Sequence, residues 1–298
     1  MNKNSILIPA DVPRTIENTF VDNYNAITQN THRLFLFACD QKIEHVNDDF
    51  YGNAISPHAL YPEHLFKIAS QGRIGAMATH LGLIARYGKQ YPTINYIVKL
   101  NAKTDLVPTH EKDSVSTSLW HIEHVIHLKE TTGLNIRGIG YTIYLGSEYE
   151  GAMLAKAAQT IYIAHQHGLV ATLWIYPRGK YMKEKTDAQL AADATGVGHA
   201  LGADFVKIKP VNPEYLRIAT AAAGNTGIIC AGGTKENPRE FLREVYDQIH
   251  IGNAAGTATG RNIFQYDLPQ AIAMTHAISA IVYDDKDATS ATKIFETT

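Results

Sequence analysis

Eight short apolar runs, each trailed by a longer amphipathic stretch, leave this chain few ways to fold. The runs occupy residues 33–40, 73–80, 93–101, 136–144, 169–176, 205–210, 227–233 and 250–260. Strands that alternate with helical patterns read as repeated β-α units carrying a parallel sheet. No Pro/Ser-rich linker or shift of composition divides the 298 residues, and an α/β barrel commonly runs to about 250 residues as one unit. The sequence therefore predicts an α/β fold, a (β/α)8 TIM barrel. It is a single domain over residues 31–298, with an N-terminal extension at residues 1–30. An open doubly wound sheet shares the alternation, because a strand count does not reveal closure, and is the alternative.

The punctuation fits β-α units. Gly72, Gly133, Gly168 and Gly202 close helical patterns just before strands, where a left-handed residue is wanted. Ser147 with Glu150, and Thr186 with Gln189, have capping-box spacing. Asn212-Pro213 and Asn237-Pro238 place a capping Asn before a first-turn Pro.

Composition narrows the function. With 27 Lys+Arg against 29 Asp+Glu the formal charge is −2, and no basic block offers a nucleic-acid surface. No apolar run approaches the roughly 18 residues of a membrane span, and Ile6–Pro9 is too short for a secretory core. Cys39 and Cys230 lie in apolar runs without CxxC spacing, as small buried hydrophobes would. The expectation is a cytoplasmic protein, with homo-oligomers the general rule for such enzymes.

In a barrel the reactive groups sit at strand C-termini and in the loops after them. Those positions hold Asp40, His80, Lys99, Asn101, Tyr144, Trp174, Tyr176, Arg178, Lys207, Lys209, Gly232, Gly233, Gly260 and Arg261. Lys207 and Lys209 share one face of a strand that should be apolar on both. They either snorkel or pair at the mouth, or provide a nucleophilic amine. Desolvation and a second cation nearby would both favour the neutral amine that attacks a carbonyl. Lys207, one step deeper, is the better nucleophile, and Lys209 the better phosphate contact; Lys99 and Lys209 remain the alternative amines.

Trp174 and Tyr176 also share a face, with Arg178 beyond. They pack as core, or serve as a pocket wall and a proton donor–acceptor, the latter needing a cationic neighbour to lower a phenol pKa near 10. Asp40 ends an apolar strand, where a carboxylate is costly unless it holds a lysine or a substrate hydroxyl. CAGG and ATGR close the last two runs, and their glycines let backbone N–H groups approach a phosphate beside Arg261, aided by a following helix N-terminus. His121, His124 and His127, like His165 and His167, read as solvated helix positions rather than metal ligands. No metal and no cofactor is expected.

Together GYTIYLGSEYE (140–150), LWIYPRGK (173–180), GADFVKIKP (202–210), CAGG and ATGRNIFQ (258–265) resemble the archaeal-type class I fructose-bisphosphate aldolases, DhnA-like Schiff-base enzymes. IVKLNAKTDL (97–106) resembles their third strand in bacterial members, and the likeness spans roughly residues 30 to 285. The resemblance implies a barrel, a phosphorylated sugar as partner and aldol chemistry without a metal. By motif match Lys207 would form the imine, Tyr176 would be the acid/base, Trp174 would line the pocket and Asp40 would be the strand-one carboxylate. Gly232, Gly233, Gly260 and Arg261 would cradle phosphate. The family usually follows that Asp with His-Gly; here Gln41-Lys42 intervene, adding bulk and charge beside the mouth. Related enzymes use the same lysine on other phospho-ketoses or in acyl transfer. A non-catalytic phosphosugar-binding barrel is a further alternative.

Overall fold

The first and last strands decide between barrel and open sheet. The computed structural model describes residues 6–108 and 110–297. Its barrel strands are β1 (Leu34–Ala38), β2 (Ala76–His80), β3 (Tyr96–Lys99), β4 (Ile136–Leu145), β5 (Val170–Pro177), β6 (Phe205–Ile208), β7 (Gly227–Ala231) and β8 (Gly256–Thr259). β1 pairs in parallel with both β2 and β8, so the sheet closes as a (β/α)8 barrel. At the seam Leu34 lies opposite Gly256, whose φ is +141°. A Cβ at Gly256 would stand 2.0 Å from the Leu34 carbonyl oxygen, so only glycine lets these backbones meet.

Around the barrel run α1 (Glu17–Thr28), α2 (Pro62–Gln71), α3 (Leu81–Tyr87), α4 (Ile122–Thr132), α5 (Glu150–Gln166), α6 (Asp187–Ala200), α7 (Pro213–Ala222), α8 (Pro238–His250), α9 (Leu268–Val282) and α10 (Ala288–Glu296). Strand side chains alternate between two cores. Leu36, Ala78, Ile97, Trp174 and Phe205 point inward. Phe37, Met77, Val98, Leu173 and Val206 point outward, beneath the helices. Cys39 and Cys230 are free and buried in this outer layer. The N-terminal segment packs with the inner core: Phe20 and Ile27 of α1 are fully buried against it and floor the barrel. Burying each such side chain contributes roughly 1.5–3 kcal/mol.

Most punctuation falls where the sequence predicts. Thr186 and Gln189 form a capping box, and Asn212 and Asn237 cap α7 and α8. Gly133, Gly168 and Gly202 are left-handed. Gly72 is extended instead, and is small because Thr275 Oγ1 would lie 2.3 Å from a Cβ there. Ser147 does not cap α5; its hydroxyl donates to the Ser114 carbonyl, while Glu150 reaches back to the Gly146 N–H. Residues 250–255 of the eighth run are not strand: His250 ends α8 and Asn253 is left-handed. Among the described residues no helix is long and apolar enough to cross a membrane.

His165 departs from the expected solvated helix face. It is fully buried, with Nδ1 2.8 Å from Asp11 and Nε2 3.2 Å from Asp204, tying the N-terminal segment to the foot of β6. Burial alone would lower its pKa, but the two carboxylates outweigh it and hold the ring above its ordinary value. The stability that the imidazolium contributes is therefore complete below about pH 6.5 and lost as pH rises through the raised value. The gap in Tm between the protein and His165→Gln should be widest in mild acid and narrow with rising pH, in thermal melts across a pH series. A gap independent of pH would contradict the charged clamp.

Candidate active site

The strand C-termini open onto a cavity of about 430 Å³, and Asp40, Trp174, Tyr176, Arg178, Lys207, Lys209, Gly232, Gly233, Gly260 and Arg261 all line it. Lys207 lies opposite Trp174 in the β5–β6 register and is buried, whereas Lys209 stands exposed at the rim. Burial lowers the Lys207 pKa; Asp40 opposes the shift, and Lys99 supports it. The repelling cation is thus Lys99, from across the barrel, reinforced by Arg261, where the sequence pointed to a neighbour on the same strand.

Lys99, at the end of β3, is fully buried. Its Nζ donates to Asp40 Oδ2 and to Glu44 Oε1, both at 3.2 Å. Burial works against its charge, but the two carboxylates prevail and raise its pKa. Asp40 therefore does hold a lysine, and that lysine is Lys99. Burial would raise the Asp40 pKa, yet Lys99 and Lys207 hold the carboxyl well below the usual range. Glu44 Oε2 also accepts from the Tyr144 hydroxyl at 3.2 Å. His80, at the end of β2, faces the Lys99 carbonyl oxygen through Nδ1 at 3.2 Å.

Trp174 is the partition of the site. The Nζ atoms of Lys99 and Lys207 lie 4.9 Å and 5.5 Å from its ring centroid, within cation–π range. The indole fits because β4 carries Gly140 beside it; a Cβ there would lie 2.4 Å from the ring. Tyr176 is half-buried, with the Arg178 guanidinium 4.8 Å from its ring centroid. Its phenol pKa is raised: burial, then Asp40 and Glu44, prevail over Arg178 and Arg261. The lowered value expected from a cationic neighbour does not arise, and the resting residue is a neutral phenol.

The glycine turns after β7 and β8 are strapped to each other. Arg261 Nε donates to the Gly233 carbonyl at 2.9 Å, and its Nη1 lies 3.4 Å from Asp49 Oδ1. Gly233 has φ +63°. Only a four-residue helical turn, Arg261–Phe264, follows β8. The positive character of this end therefore comes from Arg261 and backbone N–H groups more than from a helix dipole. Lys42 does not reach the mouth as expected. Its Nζ donates to Asn47 Oδ1 and the Leu60 carbonyl, both at 3.2 Å, and lies over Phe50. Gln41 lines the cavity instead. Among the described residues no cluster of three or more His, Cys, Asp or Glu side chains could hold a metal ion.

Sequence reasoning missed the clamp on Lys99 and the role of Asn262. The spacing of Asp40 and Glu44, four residues apart across one helical turn, was the available signal for the first. Asn262 is buried; its amide donates to the carbonyls of Gly232 (2.7 Å) and Thr234 (2.8 Å) while its oxygen accepts from the Glu236 N–H (2.8 Å). Asn262→Ala should cost about 1–3 kcal/mol in urea denaturation, because three part-buried backbone groups lose their partner. An unchanged midpoint would show that the turn holds without it.

Comparison with known proteins agrees with this geometry. The model of the DeoC/LacD family of aldolases matches residues 34–266. A Methanocaldococcus jannaschii protein named fructose-bisphosphate aldolase/6-deoxy-5-ketofructose 1-phosphate synthase is 49% identical over 299 residues, covering 99% of this chain and 96% of that protein. The solved fructose-bisphosphate aldolase of Slackia heliotrinireducens superposes with TM-score 0.96 at 49% identity, covering 100% of this chain and 96% of that one. A Schiff-base-forming fructose-1,6-bisphosphate aldolase superposes with TM-score 0.77 at 27% identity, over 89% of this chain and 100% of that one. The barrel, the buried lysine at the end of its sixth strand and these likenesses converge, and the chain belongs to the DeoC/LacD family of Schiff-base aldolases.

Proposed function

We propose that this enzyme cleaves and forms fructose 1,6-bisphosphate through an imine on Lys207, with dihydroxyacetone phosphate and glyceraldehyde 3-phosphate as the three-carbon partners. The observation that carries the reading is a desolvated Lys207 amine that shares one cavity with a protonated phenol, Tyr176, and with the glycine turns and Arg261. A neutral amine has the lone pair that a carbonyl requires, and burial raises the share of that state by lowering the Lys207 pKa.

In this mechanism Lys207 adds to the ketone carbon to give a carbinolamine, whose hydroxyl leaves as water once Tyr176 protonates it. The iminium formed is a cation about where the ammonium would have been. Its charge lowers the pKa of the neighbouring phenol, so Tyr176 is a donor in the resting site and a base once the imine exists. The phenolate takes the C4 hydroxyl proton, the C3–C4 bond breaks, and its electron pair enters the iminium as an enamine. The aldehyde departs; protonation at C3 and hydrolysis of the imine then return the free amine. Trp174 walls the reacting carbons, and Asp40 keeps an anionic charge opposite the developing cation. Gly232, Gly233, Gly260 and Arg261, with Arg178 and Lys209 at the rim, anchor phosphate so that carbonyl and amine meet.

The double name of the Methanocaldococcus relative favours a second reading, in which the same lysine acts on a ketose bearing a single phosphate. A panel of phospho-ketoses with one and two phosphates separates the two.

Borohydride added with dihydroxyacetone phosphate should attach the reduced ketose to Lys207, seen by peptide mass mapping, and Lys207→Met should lose both adduct and turnover. Full activity in Lys207→Met would end the proposal. Tyr176→Phe should still form the adduct while turnover falls by about 10²–10⁴-fold; undiminished turnover would remove Tyr176 from the proton transfers.

A further inference from the structure

Two amines share one indole in this cavity, and their surroundings differ. Lys99 has lost all contact with solvent and is gripped by two carboxylates, one from the end of β1 and one from the turn after it. Lys207 makes no ion pair among the described residues and faces the cavity. We propose that Lys99 is the resident cation of this site, a positioning residue whose fixed charge repels a proton from Lys207 and so decides which of the two lysines reacts. This deepens the imine reading above and rests on it.

The geometry makes the charge of Lys99 permanent. Deprotonating it would leave the buried Asp40 and the partly buried Glu44 close together with no cation between them, a costly arrangement. Glu44 is the component that makes the clamp double, and Tyr144 fixes its second oxygen from β4. The other groups that act on Lys207 are Asp40 from β1 and Arg261 after β8. Cys39 carries the converse coupling, with Lys207 acting on its thiol. His80 on β2 and Tyr176 on β5 are neutral in the resting site, burial being the first cause in each. The charges on the clamp pull Lys207 in opposite directions: Lys99 disfavours its protonated form, and Glu44 favours it.

The test measures how fast dihydroxyacetone phosphate is trapped by cyanoborohydride as a function of pH, in the wild-type protein, Lys99→Met and Glu44→Gln. The rate falls on the acid side as Lys207 takes up a proton. Relative to wild type, that limb should move to higher pH by about one unit or more in Lys99→Met and to lower pH in Glu44→Gln. Mass mapping should place the adduct on Lys207 in all three. If Lys99→Met does not fold, Lys99→Gln, which keeps an N–H donor between the two carboxylates but no charge, takes its place and should show the same upward shift. Limbs that stay put or move together, or an adduct on Lys99, would overturn the inference. Absence of any adduct in the wild type would overturn the imine reading itself, so the two failures are distinguishable.

Discussion

A charge placed inside a barrel has to be answered inside the barrel, and the Lys99 clamp is that answer here. Moving an ammonium from water into a protein interior costs several kcal/mol, and only well-placed carboxylates offset it. Asp40 and Glu44 do so from the two ends of one helical turn, which ties the conformation of the β1 loop to the end of β3. With Asp40 and Glu44 ionised and Lys99 charged, the cluster carries one negative charge in excess. A cation formed at Lys207 neutralises it. A cation at Lys207 thus meets a clamp of opposite net charge, deeper in the cavity than the cations Arg178, Lys209 and Arg261, and an iminium is where an aldolase has to stabilise charge.

The reactivity proposed for Lys207 rests on competing environments. Burial lowers its pKa, and the carboxylates partly restore it. Burial pushes both lysine and tyrosine towards their uncharged forms, and the same carboxylates reinforce that push at the Tyr176 phenol while opposing it at the amine. Two groups whose surroundings both favour the uncharged form suit a sequence of proton transfers better than one that is ionised throughout.

Much of the fold was legible because parallel strands must be apolar on two faces and because Gly, Asn-Pro and Thr-x-x-Gln mark helix ends. Lys207, Trp174 and Tyr176 stood out for the same reason: polar or bulky groups at strand ends, sorted by side-chain alternation. What escaped depended on contacts between distant segments. The spacing of Asp40 and Glu44 pairs the two carboxylates but not their lysine, and nothing local in the sequence shows that Lys42 turns outward to Leu60 or that His165 is buried between Asp11 and Asp204. The sign of the Tyr176 shift likewise depended on which charges the loops bring near. Arg178 was visible one turn of backbone away, whereas the influence of Asp40 and Glu44 required the barrel to close.

The helix that floors the barrel has a consequence for traffic. Phe20 and Ile27, packed on Leu34, Leu36, Val170 and Phe205, make the central space a cul-de-sac. Ingress and egress share one doorway, so a fragment still bonded to the enzyme blocks the path of the next arrival. Departure must then follow a strict queue: the unattached piece exits first, and the tethered one leaves only after water has entered through the vacated space to sever its link.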